Sequence, residues 1–248
     1  MKTKLFTLLT LLILALLISG VAQAEQPTYQ SAGDPQLDAV VEKALRRHHV
    51  PGASVAVMAN GTVAWAKGYG VANLAEGTAV TPDTVFEAAS VSKSLVAWGI
   101  MNLVEDGLVD LDAPVEQYLT RWHLPPSEYD HDQVTLRRIL SHTAGLSTDG
   151  DPGVEPGKTV PTLTEALNGA VAGMDALHVA FPPGEAFHYS SIGYALLELV
   201  AEEVTGEPFA SYMQREILDP LGMTHSSYEW TPELRAQTAV GHDWYNNP

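Results

Sequence analysis

Phe86-Glu-Ala-Ala-Ser90-Val-Ser-Lys93-Ser-Leu-Val-Ala-Trp-Gly-Ile-Met-Asn-Leu-Val-Glu105-Asp-Gly107 is the stretch on which the fold of this chain turns. Leu95, Val96, Trp98, Ile100, Met101, Leu103 and Val104 recur at helical spacing, and Gly107 is a natural C-terminal stop. The pattern predicts a largely buried helix with Ser90 at its start and Lys93 three residues on, along the same face. A serine hydroxyl is a weak nucleophile near neutral pH and gains reactivity from an adjacent base. An amine beside apolar walls gives up its proton more readily, because desolvation disfavours the ammonium. The first helical turn also directs N–H groups and the positive end of the dipole toward developing negative charge. Ser-x-x-Lys alone fits a capping serine and a surface lysine better, so the flanking sequence has to decide.

Upstream, an apolar face at Leu37, Val40, Val41, Ala44 and Leu45 predicts a helix from about Pro35 to His49, broken by Val50-Pro51-Gly52. Ser54 to Ala59 and Thr62 to Gly68 then read as a hairpin across Asn60-Gly61, the dipeptide favoured in type I′ turns. Thr81-Pro-Asp-Thr84 leads into the serine helix. Downstream, short helices and proline turns run from about 107 to 190, with a Gly/Pro-rich loop from Thr148 to Lys158. Longer helices are expected at about 162–178, 190–205 and 208–218. Only two strands are evident, and a lone hairpin is marginal in water. Trp65, Trp98 and Trp122 are expected in the core.

Seven segments in order carry a family resemblance: Pro51 to Val57, Phe86 to Lys93, Leu108 to Val115, Leu140 to Leu146, Phe181 to Glu185, Tyr189 to Leu197 and Pro220 to Met223. Across residues from about 36 to about 230 the chain resembles the penicillin-recognising serine hydrolases. The branch is that of class C β-lactamases, D-alanyl-D-alanine carboxypeptidases and related esterases. The resemblance implies an α/β (α+β) fold of the β-lactamase/transpeptidase type, an antiparallel sheet lobe plus a helical lobe. It implies Ser90 as nucleophile, Lys93 as its base and Tyr189 as proton relay. A phenol flanked by an ammonium has a lowered pKa, which suits it to that task. Ser191 stands where the family usually carries Asn, a substrate-binding position, and serine brings one donor instead of an amide. No cofactor and no metal are implied. The expected function is acyl hydrolysis of a β-lactam, a D-Ala-D-Ala peptide or a small ester. The alternative is a catalytically weak penicillin-binding or cell-wall-binding module.

The family carries a Lys-Thr-Gly or His-x-Gly strand after the tyrosine, and the sequence reaches Asn246-Asn247-Pro248 without one. The resemblance therefore predicts a chain lacking the C-terminal strands, with a naturally short variant as the alternative. Residues 1–24 read as a secretory signal peptide, with Lys2 and Lys4, an apolar run from Leu5 to Ile18 and a small-x-small site at Ala22-Gln-Ala24. A flexible leader at 25–35 and a hydrolase domain at 36–248 complete the expected organisation. The expected location is exported, periplasmic or extracellular, with no stable membrane insertion after signal cleavage. There is no cysteine, hence no disulfide. A domain of this size can bury enough apolar surface without one.

The formal net charge is −17 at pH 7, from 13 basic and 30 acidic side chains. Such a surface repels nucleic acid and anionic lipid. The expected partner is a small-molecule or peptidoglycan-derived substrate. His142 in Ser141-His-Thr-Ala-Gly145 invites a Ser-His-Asp reading, but the resemblance makes this segment a structural turn. A Gly-x-Ser-x-Gly elbow is absent, which argues against an α/β-hydrolase. His48-His49, Asp130-His131-Asp132 and Asp149-Gly-Asp151 lack the spacing or the glycine that zinc or calcium sites require.

Overall fold

The computed structural model describes residues 34–148, 153–154 and 158–242. The signal peptide expected at 1–24, residues 25–33 of the expected leader, Asp149-Gly-Asp151 and Asn246-Asn247-Pro248 lie outside the described residues. The chain divides into two units, residues 34–84 with 237–242, and residues 85–236.

The first unit starts with helix α1, Pro35–His48. Asp34 caps it by accepting from the Gln36 N–H at 2.8 Å, and Pro35 occupies the first turn, where its missing N–H costs nothing. Its apolar face is only partly covered, at Leu37, Val41 and Leu45. Val40 is exposed, and no residue of α1 is fully covered. Polar contacts fasten the helix instead. Asp38 accepts from Lys67 Nζ at 2.8 Å and from the Tyr69 hydroxyl at 2.6 Å, both on the neighbouring sheet.

That sheet holds β1 (Gly52–Ala59), β2 (Thr62–Asn73) and β3 (Thr78–Ala79), antiparallel in the order β1-β2-β3. Asn60 (φ 52°) and Gly61 (φ 76°) turn the hairpin in the left-handed conformations a type I′ turn needs. The third strand corrects the two-strand reading. Two residues are too few to show any alternation, so β3 has no sequence signature. The Val240 N–H adds a hydrogen bond to Ala72 O at 2.8 Å.

In the second unit a 3₁₀ turn, Ala89–Val91, runs into α2 (Ser92–Glu105). Short helices α3 (Leu136–Leu140) and α4 (Leu163–Leu167) precede α5 (Ile192–Thr205). There follow α6 (Phe209–Met213), continued by a π turn over Gln214–Leu218, and α7 (Pro232–Gln237). The core gathers Ile100 and Leu103 of α2, Ile139 of α3, and Leu196, Leu197 and Leu199 of α5. α5 is apolar on nearly every side, as a central helix must be.

Two expectations fail here. The helix expected over 162–178 stops at Leu167, where Gly169 (φ 81°) and Gly173 (φ 84°) take left-handed conformations and the Leu177 N–H folds back onto Leu167 O at 2.8 Å. α2 is half-buried, not largely buried, with Trp98 and Met101 exposed. Trp98 is therefore not core. Trp122 is, with its indole N–H donating to Asn168 Oδ1 at 3.0 Å, and Trp65 is partly buried. Among the described residues no helix is long and apolar enough to cross a membrane.

Candidate active site

All four residues singled out by sequence fall in the second unit, and the fold brings them together. Ser90 sits in the 3₁₀ turn ahead of α2, preceded by Ala89 at φ 44°. A non-glycine residue in the left-handed region stores about 1–3 kcal/mol of strain, and such positions cluster at functional sites. Ser90 is exposed, so an incoming carbonyl can reach its hydroxyl. Lys93, one turn along, donates from Nζ to Ser90 Oγ at 3.3 Å. Ser94 is occupied otherwise, its hydroxyl donating to Val91 O at 2.8 Å.

Tyr189 arrives from 99 residues away and donates its hydroxyl to Ser90 Oγ at 2.8 Å. Ser190, buried next to it, accepts the Gly193 N–H at 3.1 Å just ahead of α5. The Ser90 hydroxyl, then Lys93, stabilise a phenolate and hold the Tyr189 pKa below its ordinary value against the effect of burial. Ser191 adds a smaller push in the same direction. Lys93 Nζ lies 5.3 Å from the Tyr189 ring centroid and 5.5 Å from that of Tyr194, a cation between two π faces. Tyr194 is pinned by its hydroxyl to Leu140 O at 2.9 Å.

Two neighbours were not foreseen. The His142 imidazole packs on Tyr189, with ring centroids 4.4 Å apart. Burial first, then the Lys93 charge, depress its pKa. Sequence marked this residue as part of a turn, and its φ of 57° agrees, but the contact with Tyr189 has no local signature. Glu198 of α5 is partly buried in the same region and senses Lys93; desolvation foremost pushes its carboxyl up to about 7. Its position four residues after Tyr194 was the available signal. Among the described residues no group of three or more His, Cys, Asp or Glu is arranged to hold a metal ion.

Chemically, the cluster offers an accessible hydroxyl, an amine and an acidified phenol in mutual contact. Such a set has the chemistry for a hydroxyl nucleophile with two groups beside it that can exchange protons.

The sequence profile of the Beta-lactamase family matches residues 37–248. Protein flp of Staphylococcus aureus (strain N315) is 29% identical over 211 residues, covering 84% of this chain and 41% of that protein. Penicillin-binding protein 4 of Amycolatopsis lactamdurans is 34% identical over 201 residues, covering 80% of this chain and 50% of that protein. Among solved structures, the octameric penicillin-binding protein homologue from Pyrococcus abyssi superposes with a TM-score of 0.69 at 30% identity, covering 84% of this chain and 47% of that one. The chain thus spans half or less of the length of these relatives.

Proposed function

The chain belongs to the Beta-lactamase family, and from that premise we propose that it is a serine acyl hydrolase with Ser90 as nucleophile. Ser90 Oγ attacks a carbonyl carbon and forms an ester with the acyl group. Its proton passes to the Tyr189–Lys93 pair and from there to the leaving group. Water, deprotonated by the same pair, then cleaves the ester. The backbone N–H of Ser90 serves as one donor to the oxyanion. Ser191 binds the substrate with its single hydroxyl. The substrate class is a β-lactam, a D-Ala-D-Ala peptide or a small ester. The proposal includes export, on the strength of the apolar run from Leu5 to Ile18 and the Ala22-Gln-Ala24 flank. The observation that carries the reading is the 2.8 Å hydrogen bond joining Tyr189 to a Ser90 hydroxyl already held by Lys93.

Covalent labelling by a fluorescent penicillin or fluorophosphonate tests it. Ser90→Ala is expected to abolish labelling of the chain, and Ser92→Ala and Ser94→Ala to retain it. Label that survives in Ser90→Ala overturns the assignment. Turnover of a chromogenic ester or cephalosporin marks a hydrolase, and labelling without turnover marks the binding module.

A further inference from the structure

We propose that His142 is the positioning residue for Tyr189, holding the phenol against Ser90 only while its imidazole is neutral. The inference rests on the acyl-transfer reading above and extends it to a residue outside the Ser-Lys-Tyr set.

The geometry is a bracket. The His188 N–H donates to His142 O at 2.7 Å, and the Ser190 N–H donates to His142 Nδ1 at 3.2 Å. One residue thus fixes the chain on both sides of Tyr189. The imidazole fills the space between, packed on the Tyr189 ring and 5.3 Å from the Tyr194 ring centroid, with Phe187 edge-on at 5.6 Å. His142 pays for this placement with a left-handed backbone (φ 57°). Its own turn over-determines that conformation, through His142 N–H to Ile139 O at 3.0 Å and Thr143 N–H to Arg138 O at 2.7 Å. A residue forced into the left-handed region, with both its carbonyl and its ring nitrogen spent on one loop, serves that loop.

The same contacts make the bracket sensitive to protonation. A ring nitrogen that accepts a backbone N–H carries no proton, so the tautomer is fixed with hydrogen on Nε2. Protonating Nδ1 removes the acceptor and sets two donors facing each other. It also adds a cation near Lys93, the charged group that faces His142 from α2. The other titratable groups facing it are the phenols of Tyr189 and of Tyr194 on α5. On α3, Arg138 turns away to Gln133, donating to its backbone and side-chain oxygens at 2.7 Å. Burial and Lys93 both keep the imidazole neutral down to a pH below its ordinary 6.5. Below that, Tyr189 loses one side of its support.

The test uses the full chain and the rate of fluorophosphonate labelling between about pH 5 and pH 9. His142→Ala removes ring and acceptor and is expected to slow labelling about 10²-fold at pH 8, the cost typical of a misplacement of about 1 Å. Asn tolerates a left-handed backbone and offers an oxygen to the Ser190 N–H. His142→Asn is therefore expected to recover most of that loss and to remove the His142-dependent part of the acid limb expected of wild type below pH 6.5. An acid limb unchanged in His142→Asn overturns the proposal, as does wild-type labelling by His142→Ala. Nuclear magnetic resonance of ζ-carbon-labelled tyrosine, with Tyr189→Phe for assignment, gives a readout independent of chemistry. The Tyr189 signal is expected to shift as His142 titrates and to stay still in His142→Asn. A Tyr189 signal indifferent to that titration overturns the proposal even if Ser90 is the nucleophile. Absence of labelling in wild type, with the Tyr189–His142 coupling present, overturns the acyl-transfer reading and upholds the bracket.

Discussion

Glu198→Gln is expected to stabilise the protein at alkaline pH and leave it unchanged in acid. The Glu198 carboxyl is partly buried on α5, and desolvation, with Glu202 adding, raises its pKa from 4.5 to about 7; Lys93 opposes the rise. The folded state therefore keeps a proton that the unfolded chain releases once pH exceeds about 4.5. Stability falls as pH climbs from there to about 7, and above that the full cost of ionising this carboxyl in its shifted environment is present. A rise from 4.5 to about 7 corresponds to about 3 kcal/mol. Glutamine keeps the shape and polarity of the protonated acid but cannot ionise. Urea unfolding at pH 4 is thus expected to give equal midpoints for the two proteins. At pH 8 the variant is expected to gain about 3 kcal/mol, a rise in Tm of roughly 6–12 °C for a chain of this size. A variant less stable than wild type at pH 8 would refute the reasoning. So would a difference that does not change between pH 4 and pH 8, because the effect would then be packing and not charge.

Tyr189→Phe removes one hydroxyl, the donor to Ser90, and is expected to slow labelling by about 10²–10⁴-fold, the range for a positioned acid–base group, with the unfolding midpoint little changed; a near wild-type rate would make the tyrosine mere packing. Gly145→Ala would set a Cβ 2.1 Å from Phe181 O at a φ of +69°, so it is expected to destabilise by more than about 3 kcal/mol and to impair labelling, because the Gly145 carbonyl holds Ala180 and Phe181 at the start of the loop that leads to Tyr189. Thermal unfolding and labelling rate together check it, and a variant as stable as wild type would show that the turn can relax.

Local sequence determined what depends on neighbours a few residues apart. The Asn60-Gly61 turn, the Pro35–His48 helix and the Ser90–Lys93 contact each follow from backbone preferences or helical spacing, which a short stretch carries complete. The position of Tyr189 near the serine came from the order of seven family-like segments, since no periodicity links residues 99 apart. What the sequence could not settle depends on partners distant along the chain. The pattern over 162–178 is helical, but left-handed Gly169 and Gly173 and the return of Leu177 to Leu167 override it. Trp98 is as apolar as Trp122, yet only Trp122 finds a place in the core and an indole acceptor in Asn168. His142 and Glu198 show the same division most sharply. One is a turn residue and the other a glutamate in an apolar helix until the fold sets the first against Tyr189 and the second within reach of the Lys93 charge. Burial and electrostatic environment are properties of the packed whole, so the ionisation of these two groups was decided only when α2, α5 and the 187–190 loop came together.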